Sequence, residues 1–265
     1  RNILDFDVTF LCSERRLGFA AAANAGIARV WDTANLIALL NDDASPGPAW
    51  FGRLQQALET DPGLAAVQGT VTDAAGRRVD GRGIEFDPWG LPVQIDRGHE
   101  VGDDTGHRTV TAVSGTASLF RTEALRHAAL SDNNVFDPAF GSYHEDVDLG
   151  LRLTRLGWRS AWIGEAPVGH LGSATGPTFG WRHPWWVLAN RWRAIAGNLT
   201  SGALLRSLPL LVRGEIRAVN TLSRSNWRTP LVAVGVAVAI KPLVLSGLFR
   251  SSPGCRLDAL PEDSR

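Results

Sequence analysis

The chain has 265 residues, of which 44% are hydrophobic and 20% charged, and its formal net charge is zero. This composition is that of a globular protein, and the length fits one large or two small domains with a sizeable core. Only two cysteines, Cys12 and Cys255, occur, near opposite ends; they exclude a disulfide framework and a cysteine metal site, and they favour a reducing compartment.

Charge is unevenly distributed along the chain. Residues 1–180 carry 15 Arg against 23 Asp and Glu, whereas residues 181–250 carry ten basic residues and one acid, Glu215. The last 15 residues carry two Arg and three acids. This division predicts an acidic body over 1–180, a basic membrane-proximal region over 181–250 and a disordered tail over 251–265.

The first half of the chain shows alternating strand and helix patterns. The whole chain contains no methionine, and it opens with Arg1-Asn2-Ile3 without a signal peptide. We therefore expect a fragment or a processed product. The alternation favours an α/β layer with right-handed crossovers. The predicted elements are a strand at Asp7–Leu11, a helix at Phe19–Val30, a strand at Leu36–Leu40, a helix carrying Trp50, Leu54 and Leu58, and a strand at Ala65–Val71.

The middle of the chain is less regular. Residues 73–108 are rich in Gly, Asp and Arg and predict a long loop that is either functional or partly disordered. Strand character returns over Thr109–Phe120. A helix is predicted over Glu145–Leu156, where leucines recur at helical spacing before Gly157. Residues 160–164 and 166–170 then predict short extended segments.

The residues from Trp181 onward predict helices near a membrane. Half of the ten tryptophans lie between 181 and 227. On a helix over Leu204–Arg224, leucines share one face and arginines the opposite one, a pattern typical of helices that bind anionic membrane surfaces. Leu231–Phe249 is 19 residues long, but Lys241 and Pro242 near its middle favour an interfacial helix over a spanning one. The alternative is that both helices pack on the body.

Two carboxylate clusters and one histidine are candidates for chemistry. Asn41-Asp42-Asp43 follows an apolar strand, which places oxygen ligands at the carboxyl edge of a sheet, where Mg or Mn could bind them; the alternative is a simple turn. Glu145 and Asp146 begin a helix, where carboxylates are also favoured by the helix dipole. His170 precedes a Gly-rich loop and could complete a metal shell, although a lone histidine is more often structural.

Five segments, in the same order and at similar intervals, resemble inverting family 2 glycosyltransferases with the GT-A fold, most closely the bacterial rhamnosyltransferase-like members. They cover residues 1 to about 175. In this chain they are Arg16–Ile27, Leu39–Asp43, Ser114–Leu125, Phe140–Leu153 and the surroundings of His170. Asp87-Pro88-Trp89-Gly90 resembles a further loop of these members.

The resemblance implies a GT-A-like, mainly parallel α/β sheet that lacks its first βαβ element, on the order of 50 residues, followed by a C-terminal helical region. It implies transfer of a sugar from a nucleotide-sugar donor to a hydroxyl of a glycan or lipid-linked acceptor, with inversion. Asp43 and His170 would hold the divalent cation and Asp146 would be the general base, with Glu145 beside it. The residues implied in donor binding are Asn41, Asp42, Gly18 and Asn24.

Two other functions remain open at this point: a non-catalytic scaffold that lacks the nucleotide pocket, and a nucleotidyltransferase, which also uses carboxylates and a metal. As partners we expect the donor, the acceptor and an anionic membrane surface, but no nucleic acid. The expected location is cytoplasmic, peripheral on the inner face of the cell membrane, in cell-wall or polysaccharide biosynthesis.

Overall fold

Strands and short helices make up the chain to residue 170, and three long helices follow in the described residues. The computed structural model describes residues 7–102, 105–131, 134–172, 180–249 and 257–261. The helices are α1 (Phe19–Val30), α2 (Trp50–Thr60), α3 (Thr122–Ala128), α4 (Glu145–Arg155), α5 (Arg182–Asn198), α6 (Ser201–Ser223) and α7 (Thr229–Phe249). The strands are β1 (Leu36–Leu40), β2 (Ala44–Pro46), β3 (Leu64–Gln68), β4 (Val71–Asp73), β5 (Val79–Gly81), β6 (Ile84–Phe86), β7 (Pro92–Gln94), β8 (His107–Val110), β9 (Ala117–Arg121), β10 (Arg159–Ile163) and β11 (Val168–His170).

The main sheet has five strands in the order β1-β9-β3-β10-β8. Only the β3–β10 pair is parallel, whereas β9 runs antiparallel to both β1 and β3, and β8 antiparallel to β10. The prediction of an α/β fold with a C-terminal helical region is confirmed. The prediction of a mainly parallel sheet is corrected to a mixed one, because β9 enters between two strands that share a direction.

A second sheet, in the order β2-β11-β4-β5, adjoins the carboxyl end of β1. Strand β11 is antiparallel to β2 and parallel to β4, and β5 pairs with β4. Strands β6 and β7 form a separate hairpin. These short strands bring three distant stretches of the chain to one place, and they carry part of the site described below.

Apolar side chains cover both faces of the main sheet. On one face, Ala66 of β3 belongs to a buried cluster with residues of α1, α3 and α4. On the other, its neighbour Val67 packs in a cluster with Trp50, Leu54 and Leu58 of α2. Since successive strand residues point to opposite faces, a run of buried residues such as β3 is what a doubly covered sheet requires.

The helical region packs on the body through the leucine-rich face of α6. Leu204 and Leu211 are buried in one apolar cluster with Val147 and Leu151 of α4, and Leu208 packs against it. That face is therefore used for packing, as in the alternative considered above. No helix in the described part of the chain combines the length and hydropathy needed to cross a bilayer.

The tail is partly ordered. Leu257 pairs with Leu199 between α5 and α6, and it exchanges backbone hydrogen bonds with Asn198 and Thr200. The prediction of a disordered tail over 251–265 is thus corrected for residues 257–261, because Leu257 and Leu260 find an apolar surface to cover. Residues 251–256 and 262–265 lie outside the described residues.

Candidate functional site

A cleft of about 750 Å³ opens where the two sheets meet the helices. The loop after β1, the end of β11, the turn before β9 and the start of α4 supply its polar walls, and α5 and α6 supply an apolar wall. The lining includes Phe19, Asn41, Asp43, Asp80, Ile84, Arg97, Ser114, Gly115, Thr116, Ser142, Tyr143, His144, Glu145, Asp146, His170, His183, Val187 and Leu222.

At one end of the cleft, His170 lies between two aspartates. Its Nε2 is 3.2 Å from Oδ1 of Asp43, and its Nδ1 is 2.9 Å from Oδ2 of Asp80. The second sheet produces this arrangement, because His170 pairs with Ala44 on one side and with Asp73 on the other. The sequence therefore predicted the pairing of Asp43 with His170, but Asp80 was missed.

The geometry around His170 is suited to a divalent cation. The contact between Nδ1 and Asp80 orients the imidazole, as carboxylates do for metal-binding histidines, and places Nε2 on the side of Asp43. A divalent cation could be bound between Nε2 and the carboxylate of Asp43. Two ligands at right angles around a metal with bonds of about 2.1 Å are roughly 3 Å apart, which is close to the observed separation.

The protein offers few ligands for such a cation. Within the described ranges, no group of three or more His, Cys, Asp and Glu side chains has the geometry to hold a metal by itself. Two protein ligands are consistent with the usual coordination of Mg²⁺. This ion keeps several waters and binds through one or two carboxylates and substrate phosphates. Arg97, whose Nη2 is 3.1 Å from Oδ1 of Asp80, adds a positive charge to the same end.

Glu145 and Asp146 begin α4 at the centre of the cleft. The two residues before them, Tyr143 and His144, have φ of 73° and 66°, in the left-handed region that side chains seldom adopt. This turn directs the first residues of α4 into the cleft. Asp146 accepts hydrogen bonds from the backbone N–H of Val147 at 2.8 Å and, more weakly, of Gly115 at 3.4 Å.

The environment raises the pKa of both carboxyl groups. Burial raises the pKa of Glu145 well above its ordinary value, and the neighbouring charge of Asp146 raises it further. Burial also raises the pKa of Asp146, although backbone N–H groups oppose that shift. The Oε2 atom of Glu145 has no hydrogen-bond partner among the described residues. The pair therefore retains a proton more readily than two separate exposed carboxyl groups would.

Aromatic side chains form the wall next to these carboxylates. The rings of Tyr143 and His183 meet edge to face, with centroids 5.0 Å apart. Burial lowers the pKa of His144 to about 4, helped by the nearby charge of Arg191, and burial also lowers the pKa of His183. Both imidazoles are thus neutral at neutral pH, and this end of the cleft can bind an uncharged ring.

A buried residue of α5, Asn190, holds the turn that precedes Glu145. Its Nδ2 lies 2.7 Å from the carbonyl oxygen of Phe140 and 3.0 Å from those of Ser142 and Tyr143. Only 2% of Asn190 is exposed. The helical region therefore supports the site from behind as well as lining it, and no sequence signal identified this residue.

Not all of the predicted donor-binding residues lie in the cleft. Asn41 lines it, whereas Asp42 is exposed and outside the lining. Asn24 is buried, and its amide bonds the backbone of Val135 and Phe136. A Cβ at Gly18 would be 2.4 Å from the carbonyl oxygen of Gly141. The contacts of Asn24 and Gly18 are with the protein backbone, and their role in donor binding stays a prediction.

Comparison with known proteins gives a family match and curated relatives. A profile of the family described as "Glycosyl transferase family group 2" matches residues 36–257. Proteins named N-acetylglucosaminyl-diphospho-decaprenol L-rhamnosyltransferase, from two strains of Mycobacterium tuberculosis (CDC 1551 / Oshkosh and ATCC 25618 / H37Rv), are each 26% identical to this chain. The alignment spans 254 residues, 80% of this chain and 78% of each relative.

Two solved structures share a more distant likeness. GalNAc-T7 with UDP, GalNAc and Mn²⁺ has 16% identity and a TM-score of 0.49, over 69% of this chain and 35% of that chain. The mannosyltransferase PcManGT from Pyrobaculum calidifontis, in complex with GDP-Man and Mn²⁺, has 15% identity and a TM-score of 0.47. That match covers 91% of this chain and 67% of the other.

Proposed function

The chain belongs to the glycosyl transferase family group 2, and from this premise we propose that it transfers a sugar, with inversion, from a nucleotide-sugar donor to a hydroxyl group. The observation that carries the proposal is the pair Glu145 and Asp146 in the same cleft as the Asp43–His170 pair. One end of the cleft can bind the diphosphate of the donor, and the other can bind the uncharged sugar ring of the acceptor.

In this proposal Asp146 is the general base. Its carboxylate accepts the proton of the acceptor hydroxyl while that oxygen attacks the anomeric carbon from the face opposite the nucleotide. The bond from the anomeric carbon to the diphosphate oxygen breaks, and the nucleoside diphosphate leaves with the electron pair. The raised pKa of Asp146 supports the role, because a base is more effective when its pKa approaches the working pH.

Glu145 assists as a neutral acid. Since burial and the charge of Asp146 keep its proton in place, it can donate a hydrogen bond within the cleft without adding a second negative charge. A second ionised carboxyl would repel the diphosphate and raise the pKa of Asp146 still further.

Asp43 and His170 are proposed to hold a divalent cation, Mg²⁺ or Mn²⁺, with Asp80 orienting the imidazole. The separation of 3.2 Å between their ligand atoms supports this assignment. The bound cation would supply Lewis-acid stabilisation of the charge on the leaving diphosphate. Arg97 lies close enough to Asp80 to add to the positive potential there.

By similarity to the mycobacterial relatives, we propose that the sugar is L-rhamnose and the acceptor a sugar diphosphate on a lipid. A peripheral location on the inner face of the membrane follows from such an acceptor. Exposed apolar residues on the helical region support this location, namely Trp181, Leu205, Val212, Ile216, Trp227, Leu231, Val234 and Val238. Clustered exposed apolar side chains are typical of interaction surfaces.

Substitution of the base tests the proposal. With a thymidine-diphosphate rhamnose donor and a polyprenyl-diphosphate N-acetylglucosamine acceptor, Asp146→Asn should lower kcat by about 10² to 10⁴. Asp32→Asn, which changes an exposed aspartate outside the cleft, is the matched control and should behave as the parent enzyme. Turnover by Asp146→Asn close to that of the control would refute the base assignment. Product with retained anomeric configuration would refute inversion.

A further inference from the structure

A second pocket, of about 530 Å³, lies outside the catalytic cleft, between the loop after β6 and the outer side of α6. It contains none of the residues that line the cleft. Its walls are Trp89, Arg213, Ile216, Arg217, Asn220, Thr221 and Arg224. We call it the Trp89–arginine pocket.

The loop that presents Trp89 is held firmly against α6. Oδ1 of Asp87 accepts hydrogen bonds from the backbone N–H groups of Trp89 and Leu91, at 2.8 and 2.9 Å. A Cβ at Gly214 would be 2.3 Å from the carbonyl oxygen of Trp89, so only glycine allows this approach. Buried Arg191 donates to the carbonyl oxygens of Gly90 and Leu211. Trp89 is therefore a fixed wall of the pocket.

The opposite wall carries three positive charges. Arg213, Arg217 and Arg224 are exposed, and none of them forms an ion pair with a carboxylate in the part of the chain that the structure describes. The guanidinium of Arg217 lies 5.9 Å from the ring centroid of Trp89. The one acid of α6, Glu215, bonds Arg191 and Trp192 instead. The pocket thus has a positive potential that is left for an external anion.

An exposed apolar stripe borders this charge on the same helix. With about 100° between successive residues, Leu205, Val212 and Ile216 share one face of the helix. The three arginines share a neighbouring face, about 100° further around the helix axis. All three apolar residues are at least half exposed. Phosphate bound by the arginines would therefore have an apolar surface beside it, as a lipid headgroup does.

We propose that the Trp89–arginine pocket binds the phosphate group of an anionic membrane phospholipid. Guanidinium groups match the oxygens of a phosphate in pairs, and tryptophan is favoured at headgroup depth. The stripe on α6 would then meet the start of the acyl region. The inference rests on the proposed membrane location, and it adds that a loop of the catalytic body takes part in docking.

Vesicle flotation tests the pocket. The parent protein should bind vesicles of phosphatidylcholine with phosphatidylglycerol, and bind vesicles of phosphatidylcholine alone much less. The triple variant Arg213→Gln, Arg217→Gln, Arg224→Gln should lose roughly a hundredfold in partitioning, about fivefold for each arginine. The triple variant Arg15→Gln, Arg29→Gln, Arg77→Gln removes the same charge from exposed positions of the body and should bind as the parent does.

Three results would overturn the proposal. Equal loss in both triple variants would mean that binding follows net charge and not the pocket. Release of the parent protein by millimolar inorganic phosphate at constant ionic strength would assign the pocket to a soluble phosphate. Failure of the parent protein to bind either vesicle would remove the membrane location itself. Sugar transfer to a water-soluble acceptor, measured in parallel, would report on the proposed reaction independently of all three.

Discussion

At the scale of single residues, the site depends on how the protein controls four carboxyl groups in one cleft. Asp43 and Asp80 lie on opposite sides of the His170 imidazole, each within contact distance of one ring nitrogen. Glu145 and Asp146 have no such partner, and burial raises the pKa of both. In the proposed function, one end of the cleft binds the cation and Asp146, at its centre, accepts a proton.

The raised pKa of Glu145 makes stability depend on pH. The folded protein holds the proton of Glu145 more tightly than the unfolded chain does. The proton therefore makes its full contribution to the free energy of unfolding below the ordinary pKa of 4.5. This contribution is lost as the pH rises through the raised pKa of the folded protein. In urea titrations, Glu145→Gln should therefore gain free energy of unfolding relative to the parent as pH rises. Glu59→Gln, at an exposed position, is the control. A difference that does not change with pH would contradict this assignment.

Asp80 is expected to control the affinity for the cation. Asp80→Asn leaves the imidazole in place but removes the charged acceptor of its Nδ1 proton. A loss of about 10- to 100-fold in Mn²⁺ affinity is expected, as for other groups that orient metal-binding histidines. Electron paramagnetic resonance of free Mn²⁺ measures this without any turnover. Asp61→Asn, which breaks an ion pair with Arg159 away from the cleft, should leave the affinity unchanged.

The sequence predicts those polar residues of the cleft that lie in recognisable motifs. Asn41, Asp43, Glu145, Asp146 and His170 all line the cleft. Supporting residues, such as Asp80 and Asn190, were not found, because each acts on a partner more than 45 residues away in sequence. Their side chains acquire a role only when the sheet and α5 have formed.

At the scale of elements, α4 joins the sheet to the helical region. Asp148 accepts hydrogen bonds from Nε of Arg152 and from Nδ2 of Asn198 on α5, both at 2.8 Å. Arg152 also donates to the carbonyl oxygens of Ala128 and Val135. This buried network fixes α4, which begins with Glu145 and Asp146. Loss of the network would therefore displace these two carboxyl groups.

Removal of the buried arginine should be costly. Arg152→Leu leaves Asp148 as a buried charge without its cation, which typically costs about 3–5 kcal/mol of unfolding free energy. The comparison is Arg53→Leu, which breaks an exposed pair with Glu165 and should cost at most about 1 kcal/mol. Urea denaturation gives both values. Equal losses in the two variants would show that the network does not stabilise α4.

Elements with strong periodicity were predicted well and short ones were not. The helices α1, α2 and α4 and the strand β1 occur where the pattern predicts them. Residues 7–11 are predicted as a strand, but they are exposed and irregular. A strand-like sequence forms a strand only where another strand pairs with its backbone. Thr109–Phe120 contains parts of two strands, β8 and β9, which are divided by a turn at Gly115 and Thr116. The predicted loop over 73–108 contains β5, β6 and β7, whose three residues each are too few to show a period.

At the scale of the whole molecule, the cleft is shared between the sheets and the helices. Val187 and Leu222 form part of its wall, and Asn190 holds the turn before Glu145. Charge and tryptophan content are the clear signals in the sequence of residues 181–250, and they predict only a membrane-proximal region. The structure adds that the same helices are needed to complete the site.

Substitution of Asn190 tests this support. Asn190→Ala removes the donor for three carbonyl oxygens, and the turn that directs Asp146 should loosen. A misplacement of about 1 Å can cost 10²-fold in rate, so kcat should fall by about that factor while KM for the donor changes little. Asn35→Ala, at an exposed position, is the control. A KM effect with kcat preserved would indicate that Asn190 serves binding and not the position of the base.

Because its walls come from distant parts of the chain, the cleft can form only late in protein synthesis. Its lining begins with Phe19 and ends with Leu222, so a ribosome must have made most of the chain before the walls can meet. The body can fold earlier around its own buried clusters, but the turn before Glu145 stays unanchored until α5 docks. A nascent chain should therefore remain inactive until its helices arrive, and catalysis begins only with the part of the protein that we expect to reach the membrane.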